Sequence, residues 1–378
     1  MIQRSPLIAF SYRQNLMTEG FSCWLDHFRW LAALAVAAAH LRNILFPDFN
    51  SQELLQHPLS ISGKIFYFFT LFGEQSVVVF FVMSGLLVGG SIFRLTRTER
   101  LTARTYAIDR TSRLLVALIP AIILSVGLQW AGLTLSCTTR DTAGRIAGNL
   151  LFLQNFTSQP LCNDHPLWSL SSEGWFYITG PLLIVLLHRF QSGRGMGANA
   201  RLAGLLALTL LPGILAFSPI HTTPLFGLLL WTVGLLPWFV EIRLPAPLLS
   251  LPLLASLLAS RSHWFTSEWV EFFLIALSFA LLLCAPASSW KTLASPFAKG
   301  FAACSYSLYL IHMPLAQMAG KLIGPQTLSP HHLANLAFFL AILTAIAVVS
   351  WAFGHMFEAR TRMLRQVLRH IIPSKPAA

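Results

Sequence analysis

The apolar stretch FRWLAALAVAAAHL (28–41) contains two basic side chains, Arg29 and His40, whose types and spacing suit chemistry. Eleven positions on an α-helix place them about 20° apart around the helix and ~16 Å apart along its axis. A guanidinium binds phosphate with its planar fork, and an imidazole accepts protons near neutral pH. The pair therefore indicates one polar helix face inside an apolar segment, with the guanidinium at one end and the imidazole further along.

Both residues also have a structural interpretation. Arg29 can anchor a helix at a membrane edge by extending its charged end into water. His40 can be a histidine that hydrogen-bonds to a neighbouring helix. The shared face, on which Ala33 and Val36 lie between the two, favours a functional pair that lines one cavity.

The stretch HPLWSLSSEGWFYI (165–178) has a second set of polar side chains at helical spacing. Ser169, Glu173 and Tyr177 follow an i, i+4, i+8 pattern and share one helix face. A carboxylate inside an apolar segment needs a partner and indicates a functional site. A structural ion pair with one of the arginines Arg29, Arg42 or Arg113 remains the alternative for Glu173.

A third stripe lies in CSYSLYLIHMPL (304–315), where Ser305, Tyr309 and His312 follow an i, i+4, i+7 pattern. Tyrosine and histidine on one face can hold or move a proton. No CxxC motif or His/Cys spacing predicts a metal site.

The segment RLTRTERLTARTYAIDRTSR (94–113) contains six arginines and is predicted to be a cytoplasmic loop. Its last two arginines, Arg110 and Arg113, lie one helical turn apart where the next apolar segment begins. They can hold an anionic ligand at the membrane face. Orientation charges alone are the other explanation.

Composition indicates which elements must position these groups. The chain has 378 residues, of which 55% are hydrophobic and 11% charged, whereas soluble domains average roughly 25% charged residues. An all-α polytopic membrane protein is therefore predicted, as a single domain over residues 1–378. The +12 net charge comes from short clusters between apolar runs, which disfavours nucleic acid as a partner.

A spanning helix needs ~20 mostly apolar residues. Ten segments are predicted to cross the bilayer: 28–46, 65–93, 114–135, 167–187, 202–218, 223–240, 245–260, 268–285, 301–322 and 333–357. The shorter stretch 145–156 is predicted to be an interfacial or re-entrant helix. No cleaved signal peptide is expected at the N-terminus.

Basic residues predict the orientation. With both termini cytoplasmic, inside segments hold 19 Lys or Arg and outside segments hold 6, with Arg29 at the first boundary. Cys137 and Cys162 fall in the largest predicted outside loop, where an oxidising compartment would allow them to pair. Two unpaired thiols are the alternative.

Six motifs in order resemble the acyltransferase-3 family of integral membrane acyltransferases and cover residues 26–360. They are Asp26 and Arg29 leading a helix with Arg-x10-His, FFVMSG, Arg110-x-x-Arg113, LWSLSSEGWFY, SYSLYLIH and FEAR with Glu358. Three positions depart from the family pattern, namely Val78, Leu86 and Gly174. The resemblance implies a ten-helix fold in a bacterial cytoplasmic membrane, and no SGNH-type esterase extension is expected.

The resemblance also implies transfer of an acyl group, most often acetyl from acetyl-CoA, to a hydroxyl of a cell-surface glycan. Lipopolysaccharide O-antigen, exopolysaccharide, peptidoglycan and antibiotic sugars are examples of acceptors. No permanently bound cofactor is expected, since acyl-CoA is a substrate, and the partners are acyl-CoA, the glycan and the lipid bilayer. A polytopic transporter or flippase is the alternative, although no internal repeat supports it.

Within this hypothesis each site residue has a role. The phosphates of acyl-CoA are held by Arg110, Arg113 and Arg29, and His40 is the general base. Glu173 orients His40 or binds the sugar, and His312 or Tyr309 steadies the developing oxyanion. Contacts to the acceptor are expected from Ser169 and Trp168.

Overall fold

The computed structural model describes residues 8–371, apart from 11, 14, 99–100, 136, 138–139, 155, 193–221, 263 and 292–295. The described part is mainly helical. Its helices are α1 (Glu19–Leu45), α2 (Gln52–Gln56), α3 (Ile61–Thr70), α4 (Gly73–Ser84), α5 (Gly90–Arg97), α6 (Ala103–Trp130), α7 (Ala143–Leu150), α8 (Leu167–Ser192), α9 (Thr222–Val233), α10 (Ala246–Arg261), α11 (Glu268–Leu283), α12 (Pro296–Ala303), α13 (Ser305–Ile323), α14 (Leu333–Met356) and α15 (Thr361–Ile371).

Three helical stretches of the described part are long and apolar enough to cross a membrane: Ile61–Arg97, Ala103–Trp130 and Leu333–Ile371. Leu225–Trp238 and Ala246–Arg261 are shorter apolar helices. The remaining described segments predicted to span also contain helices, whereas 202–218 lies outside the described residues. The count of ten spans and the cytoplasmic location of both termini stay predictions.

Several boundaries differ from the prediction. The span predicted over 65–93 is divided into α3 and α4 by a break at 71–72, and a π-helical turn, Gly85–Gly89, joins α4 to α5. A two-stranded antiparallel sheet pairs β1 (Ile8–Phe10) with β2 (Val240–Ile242). Strands of three residues are too short for an alternating pattern to be recognised in the sequence.

The basic segment 94–113, predicted to be a cytoplasmic loop between two spans, is helical over much of its length, and its location relative to the membrane stays a prediction. Helix α5 continues to Arg97 and α6 begins at Ala103. The Thr102 hydroxyl accepts a hydrogen bond from the Thr105 amide and so caps the start of α6. Consequently, Arg110 and Arg113 project from the first turns of a helix that continues into the apolar segment.

The chain forms two compact units made of alternating segments. The first comprises Met1–Phe28, Val77–Leu101 and Ser172–Pro296; the second comprises Arg29–Ser76, Thr102–Ser171 and Phe297–Ala378. Helices α1, α4 and α8 each have residues in both.

In the first unit, close helix packing depends on glycine. A Cβ at Gly85 would lie 1.8 Å from the Trp231 carbonyl oxygen, and one at Gly234 would lie 2.1 Å from the Val82 carbonyl oxygen. Neither position can hold a side chain without moving backbone. Trp231 is fully buried at this contact, which agrees with the small-residue packing expected between membrane helices.

In the second unit, α13 packs against α6 and α14, and α15 packs against α6. A Cβ at Gly320 of α13 would lie 2.3 Å from Ile44 of α1, so these two helices approach closely. Phe46, Phe66 and Phe339 form an aromatic cluster between α1, α3 and α14. These contacts hold α1 and α13 side by side.

The segment between α6 and α8, which also belongs to the second unit, is crosslinked. Cys137 and Cys162 form a disulfide with a Cα–Cα distance of 5.5 Å, which decides between the two alternatives. Asp141 beside it accepts hydrogen bonds from the Gln129 amide (2.6 Å) and the Cys162 backbone N–H (3.1 Å), and it pairs with Arg145 at 2.9 Å. This network ties the segment to the end of α6.

Candidate active site

His40 of α1 and His312 of α13 lie next to each other in the second unit. Their ring centroids are 5.3 Å apart and the rings are inclined by 34°. His312 is 1% exposed, whereas His40 is half-buried. Two histidines that are far apart in the sequence therefore form one candidate centre for proton transfer.

Backbone carbonyls determine the tautomer of His312. Its Nδ1 lies 2.8 Å from the Tyr309 carbonyl oxygen and 3.2 Å from the Leu308 carbonyl oxygen. Since carbonyl oxygens only accept, Nδ1 must hold the proton in the neutral ring. The Nε2 atom then has a free lone pair, and among the described residues it has no hydrogen-bond partner.

This tautomer suits a proton acceptor. A neutral His312 has no N–H on its Nε2 side, so it cannot donate to an oxyanion there unless it is first protonated. The oxyanion contact expected of His312 from the sequence stays a prediction and would require the protonated ring at Nε2.

Tyr309 and Ser169, which belong to two different predicted helix faces, are brought together in the structure. The Tyr309 hydroxyl donates to the Pro166 carbonyl oxygen at 2.8 Å and contacts the Ser169 hydroxyl. Ser169 is buried, and its own hydroxyl lies 3.3 Å from the same carbonyl. These bonds attach the start of α8 to α13 one turn before His312. Trp168, on the first turn of α8, is half-buried.

The face of α1 between Arg29 and His40 is enclosed. Ala33 and Val36 on that face are 0% and 1% exposed, and α1 runs without interruption through Glu19–Leu45. The ~16 Å separation expected from helical rise therefore applies to the two basic residues.

At the Arg29 end, the carboxylate of Glu358 is the central group. It accepts hydrogen bonds from the Ser307 hydroxyl (2.8 Å) and the Ser307 backbone N–H (3.3 Å) in the first turn of α13. Arg113 and Arg29 both interact with it electrostatically. Glu358 thus joins the start of α13 to two of the three arginines expected to hold an anion.

A cavity of about 500 Å³ opens beside Glu358 in the second unit. Its charged, polar and reactive lining includes Arg113, Cys304, His355, Glu358, Arg362 and Arg365. Arg110 does not line it and instead packs over the Tyr106 ring, with its guanidinium carbon 5.4 Å from the ring centroid. The predicted Arg110–Arg113 pair is therefore divided, with one arginine at the cavity.

A second cavity of about 270 Å³ in the same unit is mainly apolar. It is lined by Trp30 and Leu34 of α1 and by Leu308 of α13, and it shares Cys304 with the larger cavity. Leu34 lies between Arg29 and His40 in the sequence, and Leu308 lies one turn before His312. The two cavities therefore meet at Cys304, and neither His40 nor His312 belongs to their linings.

Glu173 belongs to the first unit, where it has hydroxyl partners. The Tyr177 hydroxyl donates to its Oε1 at 2.9 Å, and the Ser84 hydroxyl does so at 3.4 Å. Trp231 Nε1 donates to Ser84 at 3.2 Å. The predicted Glu173–Tyr177 face is confirmed, and the cluster fits a carboxylate held by neutral donors.

These features together match a known family. A family model described as an acyltransferase domain matches residues 23–355, which is most of the chain. The chain belongs to the acyltransferase-3 family. Its apolar helices agree with residence in a membrane.

Among curated proteins, this acyltransferase-3 chain is similar to Acyltransferase MdmB from Streptomyces mycarofaciens. The two are 26% identical over 231 residues, which cover 58% of this chain and 53% of that protein. The chain thus spans about half the length of the curated relative it matches. No solved structure matches it.

Sequence patterns alone missed two acidic groups of this acyltransferase-3 protein. Glu358 appeared only as part of a motif, and its bond to Ser307 depends on a contact between residues 51 positions apart. Asp164 gave no signal, because one aspartate in a polar segment is ordinary. It is 1% exposed, and its Oδ1 has no hydrogen-bond partner in the described part of the chain.

Burial raises the pKa of Asp164 well above its ordinary value. The folded protein then keeps a proton that the unfolded chain releases above pH ~3.9, so stability falls as pH rises until the native pKa is passed. Asp164→Asn should remove this dependence. We expect the melting temperature of the variant to exceed that of the parent by a margin that grows between about pH 4 and 8. A constant margin would contradict the expectation.

Proposed function

We propose that this protein transfers an acyl group, most simply acetyl, from cytoplasmic acyl-CoA to a hydroxyl of a cell-surface or secreted glycan. The main observation behind this proposal is that Nε2 of the buried His312 has no hydrogen-bond partner among the described residues and that its ring lies beside the ring of His40. A proton acceptor in an enclosed place, in a chain of the acyltransferase-3 family, suits activation of a hydroxyl.

In the proposed reaction, His40 takes the proton of the acceptor hydroxyl as its oxygen attacks the thioester carbonyl. The carbon–sulfur bond then breaks, and the CoA sulfur leaves with the proton that His40 received. The products are an oxygen ester and free CoA thiol, without a covalent enzyme intermediate. His312 Nε2 is the second acceptor and can take the proton or orient the hydroxyl.

The donor is proposed to enter at the larger cavity, with its phosphates toward Arg113 and Arg29 and with Arg110 as a further source of positive charge. Arginine suits phosphate because its planar fork makes paired, charge-assisted hydrogen bonds. The pantetheine arm would pass the smaller cavity toward the histidines. A mainly apolar wall with isolated polar groups suits such an arm.

The acceptor is proposed to approach from the opposite end, past Ser169, Tyr309 and Trp168. Aromatic faces and hydroxyls are suited to sugar rings. The contact to the sugar or to His40 expected of Glu173 from its motif stays a prediction. The glycan class is assigned by family resemblance, as is residence in the bacterial cytoplasmic membrane as a single ten-span domain.

Two features support this orientation. Basic residues are concentrated in the segments proposed to be cytoplasmic, by 19 to 6. The Cys137–Cys162 disulfide lies in the largest segment proposed to be outside, and disulfides form mainly in oxidising compartments. The acyl group would therefore pass from the cytoplasmic to the outer side.

The test uses the full chain, purified into lipid nanodiscs, with acetyl-CoA labelled in its acetyl group. We expect label to appear in an ester on a hydroxylated glycan and free thiol to appear in equal amount. Release of thiol without labelled glycan would overturn the glycan as acceptor. Vesicle uptake of glycan or CoA without ester formation would favour a transporter or flippase instead.

A further inference from the structure

Helix α15 supplies the larger cavity with a wall that the family motifs do not include. It carries Arg362, Arg365 and Arg369 within eleven residues. Asp109 of α6 binds two of them, with its Oδ1 3.0 Å from Arg365 Nε and 3.0 Å from Arg369 Nη2. Arg104 of α6 donates to the Arg369 carbonyl oxygen at 2.7 Å. The helix is thus fixed against α6.

Arg362 differs from its two neighbours. It lines the cavity and is exposed. Within the described residues it forms no hydrogen bond or ion pair, whereas Arg365 shares Asp109 with Arg369. A fixed helix therefore presents a guanidinium at the water-facing side of a cavity whose other charged groups are Arg113, Arg365 and one carboxylate, Glu358.

The lining charges favour an anion of more than one charge. Three arginines face one carboxylate, and that carboxylate already accepts two hydrogen bonds from Ser307. Arg113 interacts with Glu358, which is bonded to the start of α13, so it occupies the side that leads to His312. Arg362, on α15, lines the same cavity, but it forms no hydrogen bond or ion pair with Glu358 in the described part of the chain.

We propose that Arg362 binds the 3′-phosphate of the nucleotide in acyl-CoA, while Arg113 faces the diphosphate. This inference rests on the proposed function. The diphosphate is attached directly to the pantetheine arm, so it must lie toward the histidines. The 3′-phosphate is on the ribose, away from the arm. Arg362 suits it because Arg113 interacts with Glu358 and Arg365 binds Asp109, whereas Arg362 has no ion pair among the described residues. A dianionic monoester there would form a charge-assisted pair with the guanidinium.

The experiment compares CoA with dephospho-CoA, which lacks only the 3′-phosphate, by titration calorimetry on the full chain in nanodiscs. Charged hydrogen bonds contribute enough for the parent to bind CoA about tenfold to a hundredfold more tightly than dephospho-CoA. Arg362→Gln should bind both with the same, weaker affinity. Because Arg362 is exposed, the variant should keep the parent's melting temperature.

Arg360→Gln is the matched control. Arg360 is exposed and two positions away, but it does not line the cavity. The Arg360→Gln variant removes the same net charge as Arg362→Gln and should keep the parent's preference for CoA. An equal loss in both variants, or an unchanged preference in Arg362→Gln, would overturn the assignment.

A lipid headgroup is the other source of phosphate chemistry. Nanodiscs of neutral phosphatidylcholine and of anionic phosphatidylglycerol distinguish the two. The effect of Arg362→Gln should be present in both, and an effect confined to anionic lipid would assign Arg362 to the membrane surface and overturn the inference.

If the parent discriminates the two nucleotides through Arg362 yet transfers no acetyl, the proposed function fails while the phosphate site stands.

Discussion

Acyl transfer by the His40→Ala variant should fall by a factor of about 10² to 10⁴, which is the usual contribution of a general base. The variant loses the imidazole beside His312 that is proposed to take the hydroxyl proton. The loss should appear in kcat, because the base acts in the transition state. The measurement is the initial rate of label transfer from acetyl-CoA to a hydroxylated glycan by the protein in nanodiscs.

Two controls separate this loss from misfolding. CoA affinity should stay near that of the parent, since Arg29, which is proposed to bind the donor with Arg113, lies ~16 Å from His40 along α1. Added imidazole should restore part of the rate, because the substitution leaves a space of that shape. Parent-level kcat in the variant would rule out His40 as the general base.

The second large effect concerns His312, where the hydrogen bond of Nδ1 allows a selective change. His312→Asn keeps an amide N–H near the position of Nδ1 and can still donate to the Tyr309 carbonyl oxygen. It removes the basic Nε2, which has no protein partner among the described residues. We expect kcat to fall on the order of a hundredfold, measured in the same label-transfer assay.

His312→Gln is the reciprocal variant, because its amide reaches the position of Nε2 but cannot serve as a base. If Nε2 only orients the acceptor hydroxyl, Gln should retain more activity than Asn. If Nε2 takes a proton, both should lose activity equally. Full activity in His312→Asn would show that the ring has only a packing role next to His40.

The comparison of sequence with structure shows what helical periodicity can predict. The single face of α1 and the stripe of Tyr309 and His312 follow from spacing within one helix, and both are present. The contact between His40 and His312 does not follow, because 271 positions lie between the two residues and their helices pack together only in the tertiary structure. Motif order associated the two residues with one family, while tertiary packing brought their rings within 5.3 Å.

The arginines show why charge patterns mislead. The six arginines of segment 94–113 lie between apolar segments, and this pattern predicts the orientation of the chain in the membrane. The pattern does not show that α6 already begins at Ala103, within the basic segment. The charge pattern also does not distinguish Arg362 from the other basic residues that follow α14. The arginines that line the cavity differ from the others in their position relative to Glu358. That position depends on the packing of α6 against α15, which the sequence does not show.

The crosslink between Cys137 and Cys162 has a consequence for the maturation of the protein. Asp141 bonds to the backbone of Cys162, so the polar network at the end of α6 and the crosslink stabilise the same segment. Closing a loop of this length contributes roughly 3 kcal/mol. A host that lacks disulfide-forming catalysts should therefore accumulate a full-length chain whose outer segment is open to proteases. The supply of oxidised protein, rather than its synthesis, would then limit the proposed modification of glycans.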